Sequence, residues 1–145
     1  MKEKKFSIGV TDVALLILGA VFLVGVLTVF RPCAAMDDGS WMTCHWAGRA
    51  ATGVAGAMLV LAAIHLIGGA KFRTGLDIAL IVLSALAVCI PGRLIGLCMM
   101  PDMRCRRIMT PCVIVLSILT AAVAVIDMLL QNIKEKKAAK EQKKE

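Results

Sequence analysis

The chain has 145 residues, 59% of them hydrophobic, with a mean hydropathy of +0.84 and a formal net charge of +7. A soluble domain of this size needs far more polar surface, so the composition excludes one and points to a single compact membrane domain. The positive charge does not indicate nucleic acid: the stretch 134–145 mixes lysine with glutamate and has no interleaved aromatic residues, which reads as a solvated helical tail with some attraction to anionic lipid.

Crossing the hydrocarbon core takes about 20 apolar residues in a helix, and four segments qualify: 8–30, 47–69, 76–97 and 110–132. The first follows the basic start Met1-Lys-Glu-Lys-Lys5. Its apolar run is longer than a typical cleaved signal and lacks a small-x-small site, so an uncleaved helix is expected. Arg31 and Pro32 before Cys33 also exclude an ordinary lipoprotein attachment site.

The first connection carries Cys33, Met36, Trp41, Met42, Cys44, His45 and Trp46. The two tryptophans suit a membrane interface. The second segment then places Gly48, Thr52 and Gly56 at spacing four, a pattern that lets two helix backbones approach closely in lipid, within the chain or between subunits.

A short link of about six residues with Lys71 and Arg73 leads to the third segment. Stopping that segment at Pro91 leaves about 15 residues, roughly 22 Å, which is less than a core about 30 Å thick. The spacing therefore predicts continuation through Pro91-Gly92 to about Leu97, with Pro91 as a kink and Arg93 snorkelling to the surface. Beyond it comes the run Cys98-Met99-Met100-Pro101-Asp102-Met103-Arg104-Cys105, followed by Met109 and Cys112. Thr110 is the expected N-cap of the fourth helix and Pro111 its first residue. That places Cys44 and Cys112 at positive helix ends, which favour thiolate, whereas Cys89 reads as a small buried hydrophobe.

Short links between consecutive spans predict an all-α, polytopic four-transmembrane-helix antiparallel bundle over 1–132, with a charged tail over 133–145. Eleven Lys/Arg residues fall on the side of both termini and six on the other. The bias predicts cytoplasmic termini in a cytoplasmic membrane, with the cysteine-bearing connections facing out.

Three chemistries follow from the residues. Thiolate and thioether donors select Cu(I) and similar soft ions, so Met42, Cys44, His45, Cys98, Met99, Met103 and Cys105 form a candidate metal set. The spacing lacks a C-x-x-C zinc pattern. The pairs Cys33/Cys44 and Cys98/Cys105 are disulfide candidates, either as inert braces or as parts of a thiol oxidoreductase. Four helices with two such pairs look like the quinone-linked disulfide-generating enzymes, but the C-x-x-C pair those enzymes use is missing. No catalytic residue is assigned. Finally, Asp12, His65, Asp77 and Asp127 place one ionisable group near the same end of each helix. Interfacial hydration accounts for such groups, while the sharper reading is an ion- or proton-responsive inner layer centred on His65 and Asp127.

With Ile90-Pro91, the Cys98–Cys105 run, Met42-Thr43-Cys44-His45-Trp46 and Pro111 in hand, the chain resembles the family of domain of unknown function number 4418, small bacterial four-helix membrane proteins. The likeness covers about residues 10–131 and implies the architecture but no activity, cofactor or catalytic residue. The expected role is a non-enzymatic membrane protein that binds or hands on a soft metal such as Cu(I), as an accessory subunit of a transporter. The alternatives are the oxidoreductase and a structural scaffold. Expected partners are the lipid bilayer, transporter subunits or further copies of the chain, and no nucleic acid.

Overall fold

The computed structural model describes residues 9–31, 37–97 and 102–142. Four helices, α1 (Val10–Thr28), α2 (Thr43–Ile67), α3 (Ala70–Cys89) and α4 (Thr110–Gln142), account for most of them. All four are long and apolar enough to cross a membrane. Helix α1 packs on α2 and α4, and α3 packs on the same two, so the contacts close a ring.

The distribution of polarity is that of a protein dissolved in lipid. Large aliphatic side chains such as Ile17, Val21, Val24, Val60, Val82, Ile118 and Leu129 point outward and are exposed. Alanines 47, 51, 55 and 62 are buried instead, together with Ser84, Ser117 and Thr120. The three hydroxyls donate to carbonyls one turn back in their own helices, Leu80, Val113 and Leu116, which satisfies them where no water competes.

Helix α1 lies close against α2 at Gly19. A Cβ built there would lie 3.1 Å from the Leu59 Cα, a main-chain atom that cannot rotate away. The expected small-residue seam is therefore only partly realised. On α2 the buried row is Ala47, Ala51, Ala55 and Ala62 together with Gly48 from the expected seam, while Gly56 has open space where a side chain would go. Thr52 donates to Gly48 within its own helix. We expect Gly19→Val to destabilise the fold by about 1–3 kcal/mol through overpacking, read from unfolding in detergent; an unchanged midpoint would show that α1 and α2 do not depend on this approach.

Three expected boundaries are corrected. Helix α3 does not run on through Pro91 but ends at Cys89. Gly92 takes φ of +92°, and Leu94 and Ile95 donate their N–H groups back to the Cys89 and Ile90 carbonyls. The chain thus closes the helix with a turn suited to glycine. The length problem is solved at the other end: α3 starts at Ala70, directly after Gly68 and Gly69. Its 20 residues span about 30 Å. Lys71 and Arg73 consequently belong to the first turn of α3 rather than to a loop, and Arg93 is an exposed turn residue.

Thr110 is likewise not an N-cap. Helical structure begins near Arg104, and a π-helical segment, Cys105–Met109, leads straight into α4. The Cys105 carbonyl accepts both the backbone N–H and the side-chain hydroxyl of Thr110. This widening makes room for Pro111, which has no N–H and whose ring would press on the carbonyl four residues back. Cys112 therefore lies more than two turns inside a helical run, away from any helix start. The 33 residues of α4 reach about 50 Å, so the helix continues without a break into the charged tail.

Candidate functional site

One end of the bundle holds a cluster of ionisable side chains. Asp12 sits in the first turn of α1, His65 in the last turn of α2, Arg73 and Asp77 in the first two turns of α3, and Asp127 on α4. Asp12, His65, Asp77 and Asp127 are exposed by only 1%, 0%, 0% and 4%. Burial this complete replaces the reading of hydrated interfacial groups.

His65 is the centre. Its Nδ1 lies 3.1 Å from Asp12 Oδ1, and its Nε2 lies 3.0 Å from Asp77 Oδ1 and 3.4 Å from Asp127 Oδ2. The Arg73 guanidinium contacts Asp12 through Nη2, which is 3.7 Å from Asp127 Oδ2. Neutral donors complete the shell. The Gly9 N–H donates to Asp12 Oδ2 at 2.7 Å, and the Thr11 hydroxyl donates to Asp127. The Gln131 amide donates to Asp127 and, at 3.2 Å, to Asp77 Oδ2. The Gln131 carbonyl in turn accepts from Thr74.

Two features stand out in this arrangement. Three carboxylates face one guanidinium, a formal excess of two negative charges in a setting where an unpaired charge is costly. In addition, both ring nitrogens of His65 and Asp77 Oδ1 are buried without a hydrogen bond. Their distances to neighbours are short, but the lines between them miss the N–H directions, and buried polar atoms in that condition require an explanation. Sequence reasoning missed Arg73, Thr11 and Gln131. Arg73 falls in the short link expected between the second and third spans, and the signal for its true place is the Gly68-Gly69 pair, which ends α2 early enough for α3 to begin at Ala70.

The soft donors lie toward the other end. Cys44 precedes His65 by 21 residues on α2 and Cys105 precedes Asp127 by 22, about 30 Å along each helix. Cys44 and Cys105 are both 0% exposed. They share the hydrophobic core with Met109, and Met42 and Met103 pack against it. His45 stacks on Trp41 with ring centroids 4.0 Å apart and meets Trp46 edge-on at 5.8 Å. Those contacts give its ring a packing role beside the interface tryptophans. Cys89 is exposed at the end of α3 rather than buried, and Cys112 is half-buried. Cys33, Cys98 and Met99 lie outside the described residues, and with them one member of each candidate disulfide pair. In the loop before α2, Ser40 donates to Asp38 Oδ1 from both its hydroxyl and its N–H, which holds the Asp38 carboxyl below its usual range.

Four apolar spans that enclose polar groups and turn aliphatic side chains outward define a small all-helical, multi-pass membrane protein. Within that class, residues 15–130 match the family model described as Domain of unknown function (DUF4418), and the chain belongs to that family. No curated protein and no solved structure matches it.

Proposed function

We propose that the protein is a non-enzymatic cation-binding module of the bacterial cytoplasmic membrane, acting as a small accessory subunit of a transporter. The observation that carries this reading is the cluster of Asp12, His65, Asp77 and Asp127, buried together with more negative than positive charge. Ionisable groups placed inside a span at such cost are characteristic of ion and proton pathways. In this reading the helices run up-down-up-down, because the start of α1, the end of α2, the start of α3 and the later part of α4 converge on one layer. The lysine-rich termini set that layer on the cytoplasmic side.

The test is equilibrium dialysis of the purified full-length chain against Na+, K+, Mg2+, Ca2+, Mn2+, Zn2+ and Cu(I) in turn. About one equivalent of at least one ion is expected, lost on combined Asp12→Asn and Asp127→Asn substitution. Retention of none of the seven by the folded protein would overturn the reading.

A second reading is favoured by the complete burial of Cys44 and Cys105 in a core that also holds Met109, with Met42 and Met103 against it. Such a set suits Cu(I). In the same dialysis, Cu(I) retention that survives the aspartate substitutions and disappears in Cys105→Ser would establish this site.

A further inference from the structure

Resting on the cation-binding reading, we propose that Asp12, His65 and Asp127 form a site for one divalent transition-metal ion of the Zn2+ type. Asp77 orients the histidine ring there, and Arg73 acts as a tethered cation that holds the site when the metal is absent.

Donor geometry is the first support. One ligand atom each from Asp12, His65 and Asp127 lies within 4.8 Å of the others. Bonds of about 2.0–2.2 Å to zinc place tetrahedral donors roughly 3.4 Å apart. The 3.1 Å from His65 Nδ1 to Asp12 Oδ1 is already in that range, and the Asp127 carboxylate, whose Oδ2 is 3.4 Å from Nε2, would have to turn toward Nδ1 to join them.

Independent support comes from the histidine itself. His65 is wholly buried among the carboxylates, yet neither ring nitrogen makes a hydrogen bond. Carboxylate oxygens lie 3.0–3.4 Å from both nitrogens without being aligned to accept from them, and an ion bonded to Nδ1 would use that misaligned lone pair. Asp77 Oδ1, 3.0 Å from Nε2 and also without a hydrogen bond, then takes the remaining ring N–H. Metal-binding histidines are ordinarily oriented by such a carboxylate.

Charge is the third support. Three carboxylates and Arg73 leave two negative charges unmatched, and exchanging the guanidinium for one divalent ion halves that excess. A single imidazole among the donors favours a transition ion over Mg2+ or Ca2+, which prefer all-oxygen shells. Nη2 of Arg73 lies beside both Asp12 and Asp127. The Arg73 side chain is 18% exposed and springs from the first turn of α3, so it already borders the surface toward which a bound metal would displace it.

The experiment uses the full chain in detergent, Zn2+ for affinity and Co2+ as a visible reporter, with X-ray absorption on the wild-type zinc form to identify donors. We expect one Zn2+ per chain and a nitrogen/oxygen shell that includes imidazole. His65→Gln and Asp127→Asn should abolish the Co2+ absorption, and Asp77→Asn should weaken Zn2+ binding by about 10–100-fold. Arg73→Gln should tighten it by about tenfold, because the competitor is gone, and this outcome distinguishes a metal site from a merely structural ion cluster. A sulfur-containing shell would overturn the proposal and move the ion to the cysteine end. Binding unaffected by His65→Gln would also overturn it. Retention of Na+ or K+ alone would end the transition-metal proposal while leaving the cation-binding module standing, and retention of no ion would end both.

Discussion

Replacing Arg73 with Met lowers the stability of the metal-free protein by about 3–5 kcal/mol, the range for removing one partner of a buried ion pair. The side chain is mostly buried and is the cluster's only guanidinium. Its loss leaves Asp12 and Asp127 facing each other and Asp77 around one imidazole. Arg73→Lys keeps the charge but loses the planar fork, so an intermediate cost is expected. A double-mutant cycle with Asp12→Asn isolates the pair, since neutralising the carboxylate should recover part of the loss. Equilibrium unfolding in detergent with chelator present reads all three variants. A cost below about 1 kcal/mol for Arg73→Met would mean that the guanidinium behaves as a surface charge, and the account of the cluster as a buried, charge-strained layer would fail.

The second large effect is expected at Phe22, the bulkiest wholly buried side chain among the described residues. Its ring lies on α1 in the core shared by the helices. In water, Phe→Ala in a core costs about 3–5 kcal/mol, combining lost transfer energy with the cavity left behind. In lipid the transfer part largely vanishes, because acyl chains are as apolar as the core, and packing carries helix association. The expected cost is therefore near the bottom of that range, about 3 kcal/mol. Phe22→Leu, which leaves less empty volume, should stay below about 1.5 kcal/mol. Equal costs for the two variants would indicate that the ring does not fill a space that α1 and its neighbours close around.

Both predictions turn on interior chemistry that was unevenly legible beforehand. Asp12, His65, Asp77 and Asp127 were visible in the chain as isolated ionisable groups, one per apolar run, because such residues are rare inside spans. That they contact one another was not visible, since hydration near the membrane surface accounts for each taken alone. Arg73 was out of reach for a different reason. A positive residue near a span reads first as a topology signal, and only the start of α3 at Ala70 turns it toward Asp12. The ends of α3 and α4 were misplaced through local backbone chemistry. Pro91-Gly92 closes a helix when the chain beyond it can donate N–H groups back to Cys89 and Ile90, and a π-turn lets a helix pass Pro111 without stopping.

By itself the sequence determined the class: four runs long enough for the hydrocarbon core, an all-helical solution forced by backbone groups that lipid cannot satisfy, and membership of one family through its motifs. Tertiary structure alone decided which polar atoms meet. Residues 12, 65, 73, 77 and 127 are separated by up to 115 positions, and no local propensity links them. Their convergence follows from the lengths of four helices and the tightness of the Gly68-Gly69 link, which together bring one charged turn from each helix to the same depth.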